Sequence, residues 1–142
     1  MTRYAVPGAG TRVALILAQS GVVARYAVSS FSIGSRINPQ NLRSVYTAQR
    51  TIGVSAGTTV TPVPLDPGTA AFLGTAKEGL STVADFVADE ELVEVPLFAK
   101  QRFTWRAAPR SELVIPADIA YGIGWKGDPF PLAWTVSIIF RV

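Results

Sequence analysis

The stretch that most constrains the fold is the last one, Trp134-Thr-Val-Ser-Ile-Ile-Phe-Arg-Val142. Positions 134, 136, 138, 140 and 142 are apolar, whereas Thr135, Ser137 and Arg141 on the other parity are polar. A period of two held over so long a run is a strand with one face in a core and a wetter face opposite. Ile139 breaks the polar parity, which marks the second face as partly covered too.

The rest of the chain reads in the same period. Val13-Ala-Leu-Ile-Leu-Ala18 is a buried strand, far short of the ~20 apolar residues that a membrane helix needs. Arg3 and Arg12 ahead of it give only a weak likeness to a signal peptide. From Val22 the apolar parity runs through Ala24, Tyr26 and Val28, then switches to Phe31 and Ile33, so a bulge or bend is expected at Ser29-Ser30. Asn38-Pro39 marks a turn, and Val45–Val54 a further strand. Pro62, Pro64 and Pro67 lack ladder donors and restrict their segment to an edge or a long connection. Arg102-Phe-Thr-Trp-Arg106 alternates cleanly, Leu113-Val-Ile115 is short, and Gly127-Asp128-Pro129 is a turn before the final strand.

Two segments read differently. Met1–Arg12, with Pro7, Gly8 and Gly10, is expected to be an extended N-terminal arm, followed by a single domain over 13–142. Ser81–Leu92 fits either a short helix capped by Ser81 with Asp85 in its first turn, or strand, acidic loop and strand with Leu92-Val-Glu-Val95 as the second strand. The β-rich company favours the second. About eight short strands punctuated by Gly and Pro, with at most one short helix, predict an all-β, jelly-roll-like β-sandwich.

Composition narrows the chemistry. Histidine and cysteine are absent, which rules out Ser-His-Asp and Cys-His catalysis, disulfides, and zinc sites built on those ligands. Gly122-Ile-Gly124 opens no helix, and sheet geometry explains its glycines better than nucleotide binding does. Asp85, Asp89, Glu90, Glu91 and Glu94 cluster, yet their spacing matches no calcium loop, and a solvated acidic loop or a contact with a basic neighbour accounts for them better than hydrolysis. Trp105, Trp125 and Trp134 each lie on the apolar parity of a strand and read as core rather than as a sugar platform. The thirteen Lys and Arg form no run of three, so the formal charge of +3 draws no phosphate-binding stripe. Only 16% of residues are charged, against ~25% in typical domains, which points to a sizeable interface or to self-association.

Phe31-Ser-Ile33, Asn38-Pro39, Arg50-Thr51, Pro64-Leu-Asp-Pro67, Glu112-Leu-Val-Ile-Pro116 and Gly122-Ile-Gly124 together resemble a group of small virion-associated proteins of tailed bacteriophages. The resemblance spans roughly residues 20 to 142. It implies a non-enzymatic capsid decoration, cement or head-fibre β-sandwich, without cofactor or metal, made in the host cytoplasm and carried on the virion surface. Its implied partners are the major capsid protein and further copies of itself, a trimer being favoured, with neither nucleic acid nor membrane. The contacts are expected in the arm, the proline-rich stretch and the acidic stretch: Arg3, Tyr4, Pro7, Pro62, Pro64, Asp66, Asp89, Glu90 and Glu91. A carbohydrate- or receptor-binding sandwich is the alternative, to be told by an exposed Trp105 or Trp125.

Overall fold

The computed structural model describes residues 2–19, 24–35, 44–98, 101–128 and 133–142. Met1, Val22, the Asn38-Pro39 turn and Pro129 lie outside them. Twelve strands and no helix occur among the described residues. In chain order they are β1 Arg3–Gly10, β2 Val13–Ala18, β3 Tyr26–Ser35, β4 Ser44–Ile52, β5 Thr58–Thr59 and β6 Val63–Pro64. There follow β7 Thr75–Leu80, β8 Phe86–Leu97, β9 Arg102–Arg106, β10 Leu113–Ile115, β11 Tyr121–Asp128 and β12 Trp134–Arg141.

Their pairing is nested. The first strand pairs with the last, β1 with β12, then β2 with β11, β3 with β9 and β10, and β4 with β8, all antiparallel. Folding this long double ribbon over sets β3 beside β12 and β4 beside β11. Two sheets result, β10-β3-β12-β1-β6 with β9 also on β3, and β5-β7-β2-β11-β4-β8. That is the winding of a jelly roll. Its eight stations match the expected strand number, and the twelve strands exceed it only in detail: β9 and β10 share one station, and β5, β6 and β7 form an insertion between β4 and β8.

The side chains explain the layers. Trp134, Val136, Ile138 and Phe140 of β12 are buried and Thr135 and Ser137 exposed, as the alternation requires. They meet Leu15, Leu17, Tyr46, Ile123 and Trp125 from the second sheet in one core. Ser29 is skipped in the β3–β12 register, where Ile139 faces Ser30 and Phe140 faces Val28, so the expected bulge is present. All of β2 is buried because the second sheet is covered on its outer face as well. There Val13, Ile16, Ala18 and Leu80 pack with Val54, Val83 and Phe86.

Two expectations are corrected. Residues 3–10 are no free arm: they form β1, held between β12 and β6. Pro7 is tolerated because β6 covers β1 only at Tyr4 and Ala5, which leaves Pro7 on an edge. Of Ser81–Leu92, Ser81–Asp85 form no helix but a bend and turn, and Asp89, Glu90 and Glu91, expected in a loop, belong to the continuous strand β8, with Asp89 at φ 63 where the β4–β8 register shifts. Asp tolerates that left-handed backbone better than most residues, and an edge strand gives its carboxylates water.

Gly122 and Gly124 serve sheet geometry. A Cβ at Gly122 would lie 2.5 Å from Thr51 Oγ1 and 2.8 Å from the Leu17 carbonyl oxygen, and one at Gly124 would lie 2.5 Å from the Phe86 ring. Gly122→Ala should therefore lower stability by ~1–3 kcal/mol, since the backbone carbonyl has no room to yield; urea denaturation measures it. Burial, and secondly the proximity of Tyr4, raise the pKa of Tyr26 above its usual value. A raised folded-state pKa means that the folded state holds its proton longer than the unfolded chain. Stability is thus full below pH ~10 and falls as pH rises through the folded-state value. Tyr26→Phe should flatten that alkaline decline in Tm.

Candidate partner-binding surface

β1 and β2 are joined by Thr11-Arg12, so the two sheets share a common pair of ends. One end gathers the start of β1, the end of β12, the ends of β2 and β4 and the start of β11, together with the loops 65–74 and 116–120. Of the eight large apolar side chains that stand exposed among the described residues, six lie there: Ile52, Leu65, Leu73, Ile119, Tyr121 and Val142. Ile52, Leu73 and Ile119 are each more than 60% exposed.

Physical ties hold this end in shape. Phe72 inserts its ring among Tyr4, Tyr26 and Phe140, with centroids 5.5, 5.2 and 5.2 Å away, and so pins loop 65–74 to the core. The Tyr4 hydroxyl donates to the Ala70 carbonyl at 2.8 Å. Gln19, buried, ties the other loops: its Nε2 donates to the Pro116 carbonyl at 2.8 Å and to the Ala24 carbonyl, and its Oε1 accepts from the Ala24 N–H at 3.1 Å. The carboxylates of the two loops are engaged within the fold. Asp66 stands 3.8 Å from Arg3, and Asp118 Oδ1 accepts from the Ala120 N–H at 3.0 Å. This end therefore exposes apolar groups while its acids are engaged within the fold, a combination that is uncommon on a surface facing only water.

The structure sorts the expected contact residues into separate places. Arg3, Pro64 and Asp66 are brought together at the β1–β6 edge beside the apolar end. The Arg3–Asp66 pair is more than half exposed and worth at most ~1 kcal/mol. Tyr4 and Pro62 are corrections: both are buried, and Tyr4 stacks on Phe140 at 5.5 Å, so neither offers a side chain to a partner. Pro7 is exposed in a shallow hollow with Arg102 and Thr135. Asp89, Glu90 and Glu91 are exposed on β8, at the far edge of the other sheet, and share no site with Arg3 and Asp66.

Missed at the sequence level were Ile52, Leu73, Ile119 and Tyr121. The available signal was a shortage of charge in Leu65–Gly74 and Pro116–Tyr121, where Asp66 and Asp118 are the only charged residues.

The outer face of the second sheet carries a groove of about 610 Å³. Arg12 and Lys126 face Glu91, Glu94 and Asp128 across a floor of Val45 and Thr47. Lys126 Nζ lies 5.2 Å from the Phe86 ring centroid, a cation–π distance. Among the described residues no group of three or more His, Cys, Asp or Glu is placed to hold a metal ion. Trp125 and Trp134 are wholly enclosed in the core, and Trp105, half-buried, stacks on Phe31 at 5.2 Å.

No protein-family model, curated protein or solved structure matches the chain. Its class is therefore given by architecture: an all-β jelly-roll sandwich with an apolar end built by strand termini and two loops.

Gln19→Leu keeps the volume but strands two carbonyls and an N–H inside the end. We expect a loss of ~2–4 kcal/mol by chemical denaturation, with faster proteolysis near residues 24–25 and 116–120.

Proposed function

We propose that this protein is a non-enzymatic virion structural protein, a decoration or cement protein that binds the outer capsid surface of a tailed bacteriophage and stabilises it. The observation that carries the reading is the concentration of Ile52, Leu65, Leu73, Ile119, Tyr121 and Val142 at one end of a jelly roll. Jelly rolls recur in capsid and lectin domains, which supports the setting without deciding it. The apolar end would seat on the major capsid protein, with the Arg3–Asp66 edge as part of the polar rim. Each copy would add buried area that heat or internal pressure must disrupt before neighbouring capsid subunits separate. The alternative, a carbohydrate- or receptor-binding sandwich, loses its discriminating feature, because Trp125 is fully buried and Trp105 lies against Phe31.

Particles stripped of the protein should lose resistance to heat and low salt and regain it on adding the protein back. Equal resistance with and without it defeats the reading. The variant Leu73→Ser/Ile119→Ser should keep Tm within ~4 °C, since both side chains already face water, yet bind stripped particles at least ~10-fold more weakly. A glycan titration that quenches tryptophan fluorescence would favour the alternative.

A further inference from the structure

The two flanks of the sandwich end differently. On one, the sheets finish in β5 and β6, two residues each, with Pro62 and Pro64 beside or within them. Short strands and proline are devices that blunt a sheet edge. On the other flank the sheets finish in the twelve-residue β8 and in β9, which lie side by side. Among the described residues neither has a strand on its outer side. Such open edges are templates for pairing.

These neighbouring edges carry opposite charge. β8 exposes Asp89, Glu90, Glu91 and Glu94, four of the ten acidic residues of the chain. β9 exposes Arg102 and Arg106, and Arg110 follows on the next turn. None of the seven is in an ion pair with another described residue, and of the acids Glu91 and Glu94 also face Arg12 and Lys126 across the groove. Their heights agree as well. Arg102 faces Gly34, which is level with Thr135 and Ala9, and Arg106 faces Ser30, level with Ile139 and Ala5. Across the Gly10–Val13 link those levels correspond in the second sheet to the stretch of β8 from about Val93 back to its start. Asp89, Glu90 and Glu91 thus occupy one band of the flank with Arg102 and Arg106, on parallel lines, and Glu94 stands at its border.

We propose that this flank is a self-complementary interface that joins two copies of the chain. A twofold axis running along the strands lays β8 of each copy against β9 of the other. Because β8 and β9 run in opposite directions within one copy, both new contacts are antiparallel. The acidic edge then meets the basic edge twice, as an isologous contact requires. Since both edges share one flank, making one contact aligns the second, and the set closes at two. The trimer favoured by the resemblance would not close through these edges. This interface does not depend on the capsid reading.

The test is the solution mass of the full chain, by light scattering over a concentration series at low and high salt. We expect a shift from one chain mass to two, weakened about tenfold or more by high salt. Glu91→Lys/Glu94→Lys and Arg102→Glu/Arg106→Glu should each stay monomeric where the parent is dimeric, because each puts like charges opposite one another. Mixing the two variants should restore a dimer, since one then carries two basic edges and the other two acidic ones. Circular dichroism verifies folding. If a reversal unfolds the chain, Glu91→Gln/Glu94→Gln must still weaken the dimer several-fold and reduce its salt dependence. A monomer at every concentration, a trimer, or a dimer indifferent to these changes overturns the proposal.

Discussion

Everything in this sandwich depends on β12 lying between β1 and β3. The final strand needs the first strand on one side and a strand from the first quarter of the chain on the other, and its four inward residues supply the middle of the core. Such pairings have high sequence separation, and closing them costs entropy before burial rewards it. What makes the cost recoverable is burial of Trp134, Val136, Ile138 and Phe140, at ~1.5–3 kcal/mol for each large apolar side chain. The nested order follows from that closure. Once the chain ends are paired, β2 with β11 and β4 with β8 extend the same ribbon inward.

The corner between β1 and β2 shows how tightly this closure binds local sequence. A Cβ on Gly10 would lie 2.3 Å from the Val13 carbonyl oxygen, and one on Gly8 would lie 2.7 Å from that of Ala14. Glycine is required because the chain leaves one sheet and enters the other within two residues. The same glycines, with Pro7, made the segment read as an arm. A loop composition thus hid a strand, because a strand at a corner needs residues that a strand elsewhere avoids.

Period-two patterns were legible wherever one face meets the core and the other meets water. β12 and the β3 bulge at Ser29 could be read residue by residue. β8 could not, since an edge strand takes charges on both sides of a bulge and so resembles a loop. The candidate surface was the least legible. Ile52 and Ile119 are apolar in sequence exactly as core residues are, and only the ends of the ladders tell that no sheet lies over them. Tyr4 erred in the opposite direction: assigned to an arm, it became a ring of the core because β1 is a sheet strand.

The insertion β5–β7 connects these surfaces. Through β6 on β1 and through β5 and β7 beside β2, it blunts one flank of both sheets. Through Phe72 it fixes the loop that carries Leu65 and Leu73 to the apolar end. A jelly roll without that insertion would have long open edges on both flanks and no pinned loop at its end. With it, one flank resists pairing while the other keeps an acidic strand beside a basic one. On the two proposals made above, association would thereby be restricted in direction: apolar contact through one end, charged contact through one flank. The two surfaces are physically distinct, because the first is exposed apolar area on a loop pinned by aromatic packing, which salt does not screen, and the second is a row of exposed charges, which salt does screen.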